Sequence, residues 1–228
     1  MIVVGATNEE YIMQIINSLK RIDYIKPDEI PNIDLYMDQV TTFMDKHLKA
    51  SKRYDDDKML TKTMINNYTK NNLLPSPNKK KYSKEHMLLL VFIYYFKNIL
   101  SINDIQSIFT PLTTNFFNKK SGISLEEIYE EVFHLEKEQV DSLTKDVIRK
   151  FSRSRETFSD VKSEEERDFL TTFSFICMLS FDVYIKKVII EKLIDKSLNV
   201  SGSHSTKKPE KTTEKKTEKK PEKTTESI

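Results

Sequence analysis

Two groups of side chains between positions 61 and 82 have the types and spacing to do chemistry, and that chemistry is the binding of a polyanion. Thr61 is a good cap residue for a short helix. The helical period then turns Met64, Ile65 and Tyr68 inward and leaves Lys62, Thr63, Asn66, Asn67 and Lys70 on the outer surface. An exposed Asn can make a bidentate contact to adenine, and Lys can reach guanine or phosphate. The second group is the run Lys79-Lys80-Lys81-Tyr82. It follows Leu73-Leu74-Pro75-Ser76-Pro77-Asn78, whose two prolines predict an extended loop or a small β-wing. Lysines there can hold phosphate without sequence preference. Tyr82 can add a phosphate hydrogen bond or a packing anchor.

The charge distribution agrees. The chain has 228 residues, with 37 Lys and Arg against 35 Asp and Glu, a net charge of +2. Between Lys58 and Asn98 there are eight lysines and one acid, Glu85, so this window alone carries +7 and the rest of the chain −5. A local basic patch on a nearly neutral protein is the footprint of a polyanionic partner. Lys97, late in an apolar helix, is expected to be simply solvated.

Other chemistries find little support. His47, His86, His134 and His204 are scattered, with no carboxylate or Cys at metal-ligand spacing. No Gly-rich phosphate loop and no nucleophile elbow is present in the sequence. The expectation is therefore a protein that is not an enzyme, with no cofactor and no metal. His86 reads as a surface or capping residue. The single cysteine, Cys177, lies between Ile176 and Met178 and reads as a small buried apolar residue. One Cys cannot make an internal disulfide, which suits a reducing cytoplasm. No secretory signal is visible, and the apolar stretch Phe169–Ile190 is interrupted by Asp182, Lys186 and Lys187, so neither export nor a membrane partner is expected.

These residues need elements to hold them. With only 3 Gly and 7 Pro, and few alternating apolar and polar runs, the chain is expected to be mostly α. Helices are predicted over about Asn8–Ile22 and Asp34–Leu48, the latter burying Val40, Phe43, Met44 and Leu48. The Thr61 helix should end at Asn72, which tolerates the left-handed conformation. Ser83 caps an apolar helix. Ser101 with Asp104 opens a short one to Phe109, which Pro111 ends. Ser124 with Glu127 opens a long one using Leu125, Ile128, Val132, Leu135, Leu143 and Val147. Ser163 with Glu166 opens the last, running to about Leu198. That helix is apolar nearly all round, so it is expected to be buried in its own core or against a second copy, with Phe169, Phe173, Ile176 and Phe181 as dimerisation contacts. The segments are then an N-terminal helical extension (1–30), a domain that holds the basic helix and wing (31–112), a helical core or dimerisation region (113–200) and a tail (201–228). The octapeptide Lys-Lys-Pro-Glu-Lys-Thr-Thr-Glu occurs in the tail at Lys207–Glu214 and Lys219–Glu226, and its composition predicts disorder.

The order helix, basic wing, apolar helix, short capped helix resembles a known plan. Met64 to Leu74 resembles the recognition helix of the MerR-type transcriptional regulators, Asn78 to Tyr82 their wing, and Ser101 to Ile105 the start of their last short helix. Asn66 and Asn67 stand where that family has Arg and Tyr, Asn72 where it has Gly, and Lys80 where its wing has Arg; the loop before Thr61 is longer than its tight turn. From Ile33 to Phe109 the chain also resembles the bacterial domain of unknown function 1836, on Leu35–Val40, Leu60–Lys70 and Lys81–His86. The MerR resemblance implies a winged helix–turn–helix over residues 31–112, phosphate or base contacts at Asn66, Asn67, Tyr68, Lys80 and Tyr82, and a homodimer reading a palindromic site on double-stranded DNA. It leaves room for a small-molecule effector. The alternative reading is a protein-interaction module on the same scaffold, docking through Phe169–Ile190.

Overall fold

A computed structural model describes residues 8–19, 25–54, 56–119 and 122–198. The Lys/Glu/Thr/Pro tail lies outside the described residues. Seven α-helices and one two-stranded sheet are formed among them: α1 (Asn8–Leu19), β1 (Leu35–Tyr36), α2 (Met37–His47), α3 (Lys62–Lys70), β2 (Lys81–Tyr82), α4 (Lys84–Phe96), α5 (Ile102–Phe116), α6 (Leu125–Arg155) and α7 (Glu164–Ser197). The expected mostly helical class is therefore observed.

The centre is α4. Every residue from Met87 to Tyr94 is buried, so this helix is apolar on all sides because it is covered on all sides. Val40 and Met44 of α2 and Leu48 just after it join its core, as do Ile65 and Tyr68 of α3, Ile105 and Phe109 of α5, and Leu125, Tyr129 and Phe133 of α6. Phe92 meets the rings of Tyr129 and Phe133 at 5.2 and 5.5 Å.

Several helix ends follow their local sequence. Ser101 Oγ accepts from the Asp104 N–H at 3.1 Å while the Ser101 N–H donates to the Asp104 carboxylate at 3.2 Å. Ser124 and Glu127 make the same reciprocal pair. Ser163 Oγ caps α7 by accepting from the Glu166 N–H.

Three expectations are corrected. Pro111 does not end α5, which continues to Phe116. Pro111 has no N–H to give back to Ser107, a cost the helix bears while burying Ile105 and Phe109. Val132, Leu135 and Leu143 of α6 are exposed, and the core contacts are made by Leu125, Tyr129 and Phe133. Finally, α7 is not buried in its own core. Thr171, Phe175 and Ile194 are its buried residues, Cys177 is half-buried, and Phe169, Phe173, Ile176 and Phe181 are all more than half exposed. No described helix is long and apolar enough to cross a membrane.

Candidate nucleic-acid interface

The site is built on α3. Thr61 Oγ1 accepts from the Met64 N–H at 3.2 Å, fixing the helix start. Ile65 is fully buried and Tyr68 nearly so, which sets the helix rotation. Lys62, Thr63, Asn66, Asn67 and Lys70 then share the opposite, exposed side. Met64 departs from the expected inward set and is exposed. Lys62 pairs with Asp38 near the start of α2.

The helix ends on Asn72, whose φ is +56°. The Leu73 N–H donates to the Tyr68 carbonyl at 2.9 Å and the Asn72 N–H to that of Thr69 at 3.2 Å, closing the left-handed end that Asn was expected to support. This ending buries Leu73 and Leu74 and redirects the chain into the basic segment.

That segment is a tight hairpin turn. The Lys81 N–H donates to the Asn78 carbonyl at 2.9 Å, and Asn78 and Lys81 form a bridge. Lys79 and Lys80 between them have φ of +48° and +64°. Two successive left-handed residues mark the type I′ turn, at which Asn and Gly are favoured and a Lys is strained. Both side chains are exposed. The base of the turn is held by β2, which pairs antiparallel with β1, Leu35 opposite Tyr82 and Tyr36 opposite Lys81. The two-residue β1 was not expected; its sequence, absorbed in the start of a helix, carries no alternation long enough to signal a strand.

The buried position of some candidates corrects their role. Tyr82 is 3 % exposed, and burial pushes its hydroxyl up, opposed by a side-chain hydrogen bond with Thr69. Tyr68 is buried too, with its hydroxyl raised by the same cause. Both therefore support the surface from beneath. Lys81 is half-buried, with its ammonium 5.1 Å from the Tyr36 ring centroid. Lys97 is not simply solvated: its Nζ donates to the Met59 carbonyl at 2.8 Å, and burial holds its pKa below the ordinary lysine value. Lys84 pairs with Glu126 at 2.8 Å. The outward positive charge of this region thus rests on Lys58, Lys70, Lys79 and Lys80, with Lys62 exposed but paired to Asp38.

His86 is buried, not on the surface, and it does cap. Its Nδ1 accepts from the Ser83 N–H at 3.0 Å and lies 2.8 Å from Ser83 Oγ. Its ring stands edge-on to Tyr82 at 5.5 Å and to Phe117 at 4.8 Å, and the Ser76 and Pro75 carbonyls act on its other side. The long connection from α2 to α3 borders an open groove of about 580 Å³ whose rim mixes Asp45, Asp57, Lys46 and Lys52. Among the described residues, no three of His, Cys, Asp and Glu are grouped to hold a metal ion.

A mostly helical protein with one short sheet and an exposed Asn/Lys helix is thus the class that fold and site define. Residues 25–132 match the family model described as Domain of unknown function (DUF1836), which supports placing this segment, from just before β1 into α6, in that family. No curated protein and no solved structure matches the chain.

Proposed function

We propose that the chain is a DNA-binding transcriptional regulator, not an enzyme, in which α3 enters the major groove and the Asn78–Lys81 turn lies on the flanking backbone. The observation that carries this reading is the wing tip. Lys79 and Lys80 occupy two left-handed positions where Asn-Gly would cost less, and both side chains project into solvent. Strain of this kind concentrates at functional sites. The exposed side of α3 supplies the complementary part: Asn66 and Asn67 have the amide groups for base edges, and Lys62, Thr63 and Lys70 suit phosphate. The sheet supports the arrangement, because the strand before α2 and the strand after the turn hold both ends of the helix pair together. This is the MerR-like winged helix–turn–helix reading in structural terms. A cytoplasmic location follows from it.

The test is binding of the purified protein to fragments of its own genome, with affinity followed against salt. Each lysine–phosphate contact contributes about −0.9 to the slope of log K against log salt. A steep slope with one enriched palindromic sequence supports the proposal. Absence of binding at low salt, from folded protein, overturns it. The second reading, an interaction module, is favoured by the apolar side chains that α6 and α7 expose. Lys79→Glu with Lys80→Glu separates the two: it abolishes function under the first and spares it under the second.

A further inference from the structure

The exposed side of α3 carries a restricted set of groups. The helix contains no arginine, the side chain that most often reads guanine, and no aspartate or glutamate, which could accept from the amino group of cytosine. Of its two lysines, neither is well placed for guanine. Lys62 has Asp38 as its partner, and that carboxylate repels the O6 and N7 acceptors by which guanine is read. Lys70 lies in the last turn, whereas the groups of a recognition helix that reach base edges lie toward its start. Lys70 is therefore left to the backbone. The adjacent amides of Asn66 and Asn67 differ from both. Their side chains are exposed, and neither has a hydrogen-bond partner among the described residues. Asn98, by contrast, donates its amide to the Tyr94 carbonyl at 3.4 Å. Asn suits a helix interior poorly, because its side chain competes for the backbone. Two in succession weaken a helix of nine residues, and no hydrogen bond among the described residues offsets the loss. A local rule broken without internal return marks a functional position.

We infer, resting on the DNA-binding reading above, that the half-site met by α3 is built on A·T pairs, with Asn66 and Asn67 reading adenine in the major groove. An Asn side chain fits the adenine edge in one orientation, its carbonyl accepting from the N6 amino group and its amino group donating to N7. Guanine presents O6 where adenine presents N6. Both of its major-groove groups are then acceptors, and the Asn carbonyl is set against one of them whichever way the amide turns. Each bidentate pair of this kind discriminates by roughly 5- to 150-fold. The wing adds no base reading of its own. Lys79 and Lys80 bring ammonium groups to the turn, and these hold phosphate without preference. Base choice along this surface is thereby concentrated in two neighbouring amides.

Duplexes selected by the full chain from a random-sequence pool should carry A·T pairs at the positions whose preference Asn66→Ala or Asn67→Ala relaxes. Both residues are exposed, so circular dichroism of the variants should match the wild type. Changing such a pair to G·C should weaken wild-type binding by roughly 5- to 150-fold. Replacing the adenine with 7-deazaadenine removes the N7 acceptor while leaving the base pair and the minor groove unaltered. That should cost the wild type roughly 2- to 12-fold, the worth of one hydrogen bond, and cost nothing in the variant that lacks the reading amide. A half-site with G·C at the positions these variants alter overturns the inference. So does an A·T site indifferent to 7-deazaadenine at every adenine, since groove shape would then be what is read. Either result leaves the DNA-binding reading standing. Absence of binding to any member of the pool at low salt, from folded protein, overturns that reading and this inference together.

Discussion

The hydroxyl of Tyr129 donates to the backbone carbonyl of Ile25 at 2.7 Å, across 104 residues of chain and out of contact with solvent. It ties the start of the family-matched segment to α6 near that segment's end. Tyr129 also meets Phe92 and Phe133, so its ring is held by the core while its oxygen satisfies a carbonyl. Tyr129→Phe keeps the ring and removes the donor. A carbonyl buried without its partner costs about 1–3 kcal/mol. The variant should lose that much in urea unfolding with an unchanged m-value. A loss below about 0.5 kcal/mol would show that water replaces the bond.

Acid should loosen the wing through His86. Burial lowers its pKa below the ordinary histidine value of 6.5, outweighing Asp34 and the Ser76 and Pro75 carbonyls, which pull the other way. The native state favours neutral His, so between its folded pKa and 6.5 the unfolded chain binds more protons. Stability is therefore fully present above about pH 6.5 and falls as pH drops through that window. Protonation also converts Nδ1 from an acceptor into a donor facing the Ser83 N–H, which breaks the cap of α4. His86→Gln keeps an acceptor for that cap. Urea midpoints at pH 7.5 and 5.5 should separate for the wild type by more than for the variant; equal separations would remove His86 as the cause.

How far these features are legible in the sequence depends on how local they are. Thr61, Ser101, Ser124 and Asn72 act within three to five residues, and their roles appear in the structure as read. The exposed side of α3 follows from period alone. What is not local is not legible. The β1–β2 pair joins residues 45 or more apart in segments two residues long. Burial of Tyr68 and Tyr82, and the inward turn of Lys97 onto Met59, depend on which element lies opposite. The left-handed Lys79 and Lys80 defeat the residue preferences by which such a turn is recognised. On α7, hydrophobicity all round suggests burial in sequence, yet in the single chain much of it has no cover.

The two kinds of contact proposed for α3 should separate in binding data. Asn66→Ala or Asn67→Ala removes an amide suited to adenine, so discrimination against a changed base should fall by about 1–3 kcal/mol while the salt slope stays the same. Lys70→Ala should weaken binding to all sequences alike and reduce the slope by about 0.9. Competition titrations with one-base variants of the enriched site, at two salt concentrations, read both quantities. If the Asn variants change the slope and leave base preference intact, α3 lies on the backbone instead of in the groove.

The wing tip offers a test in which stability and function move in opposite directions. A left-handed L-residue costs about 1–2 kcal/mol, and the type I′ turn is best satisfied by Asn-Gly. Lys79→Asn with Lys80→Gly should therefore raise the unfolding free energy by roughly 1–2 kcal/mol, because the turn is relieved of strain and neither lysine is buried. The same change removes two positive charges from the surface proposed to meet DNA. The salt slope should fall by about 1.8 and low-salt affinity with it. A stabilised protein with unaltered DNA affinity would place the binding surface elsewhere. A destabilised one would mean that the two lysines hold the turn through their side chains. Only the combination of a firmer fold and weaker binding fits a hairpin kept strained for the charge it carries.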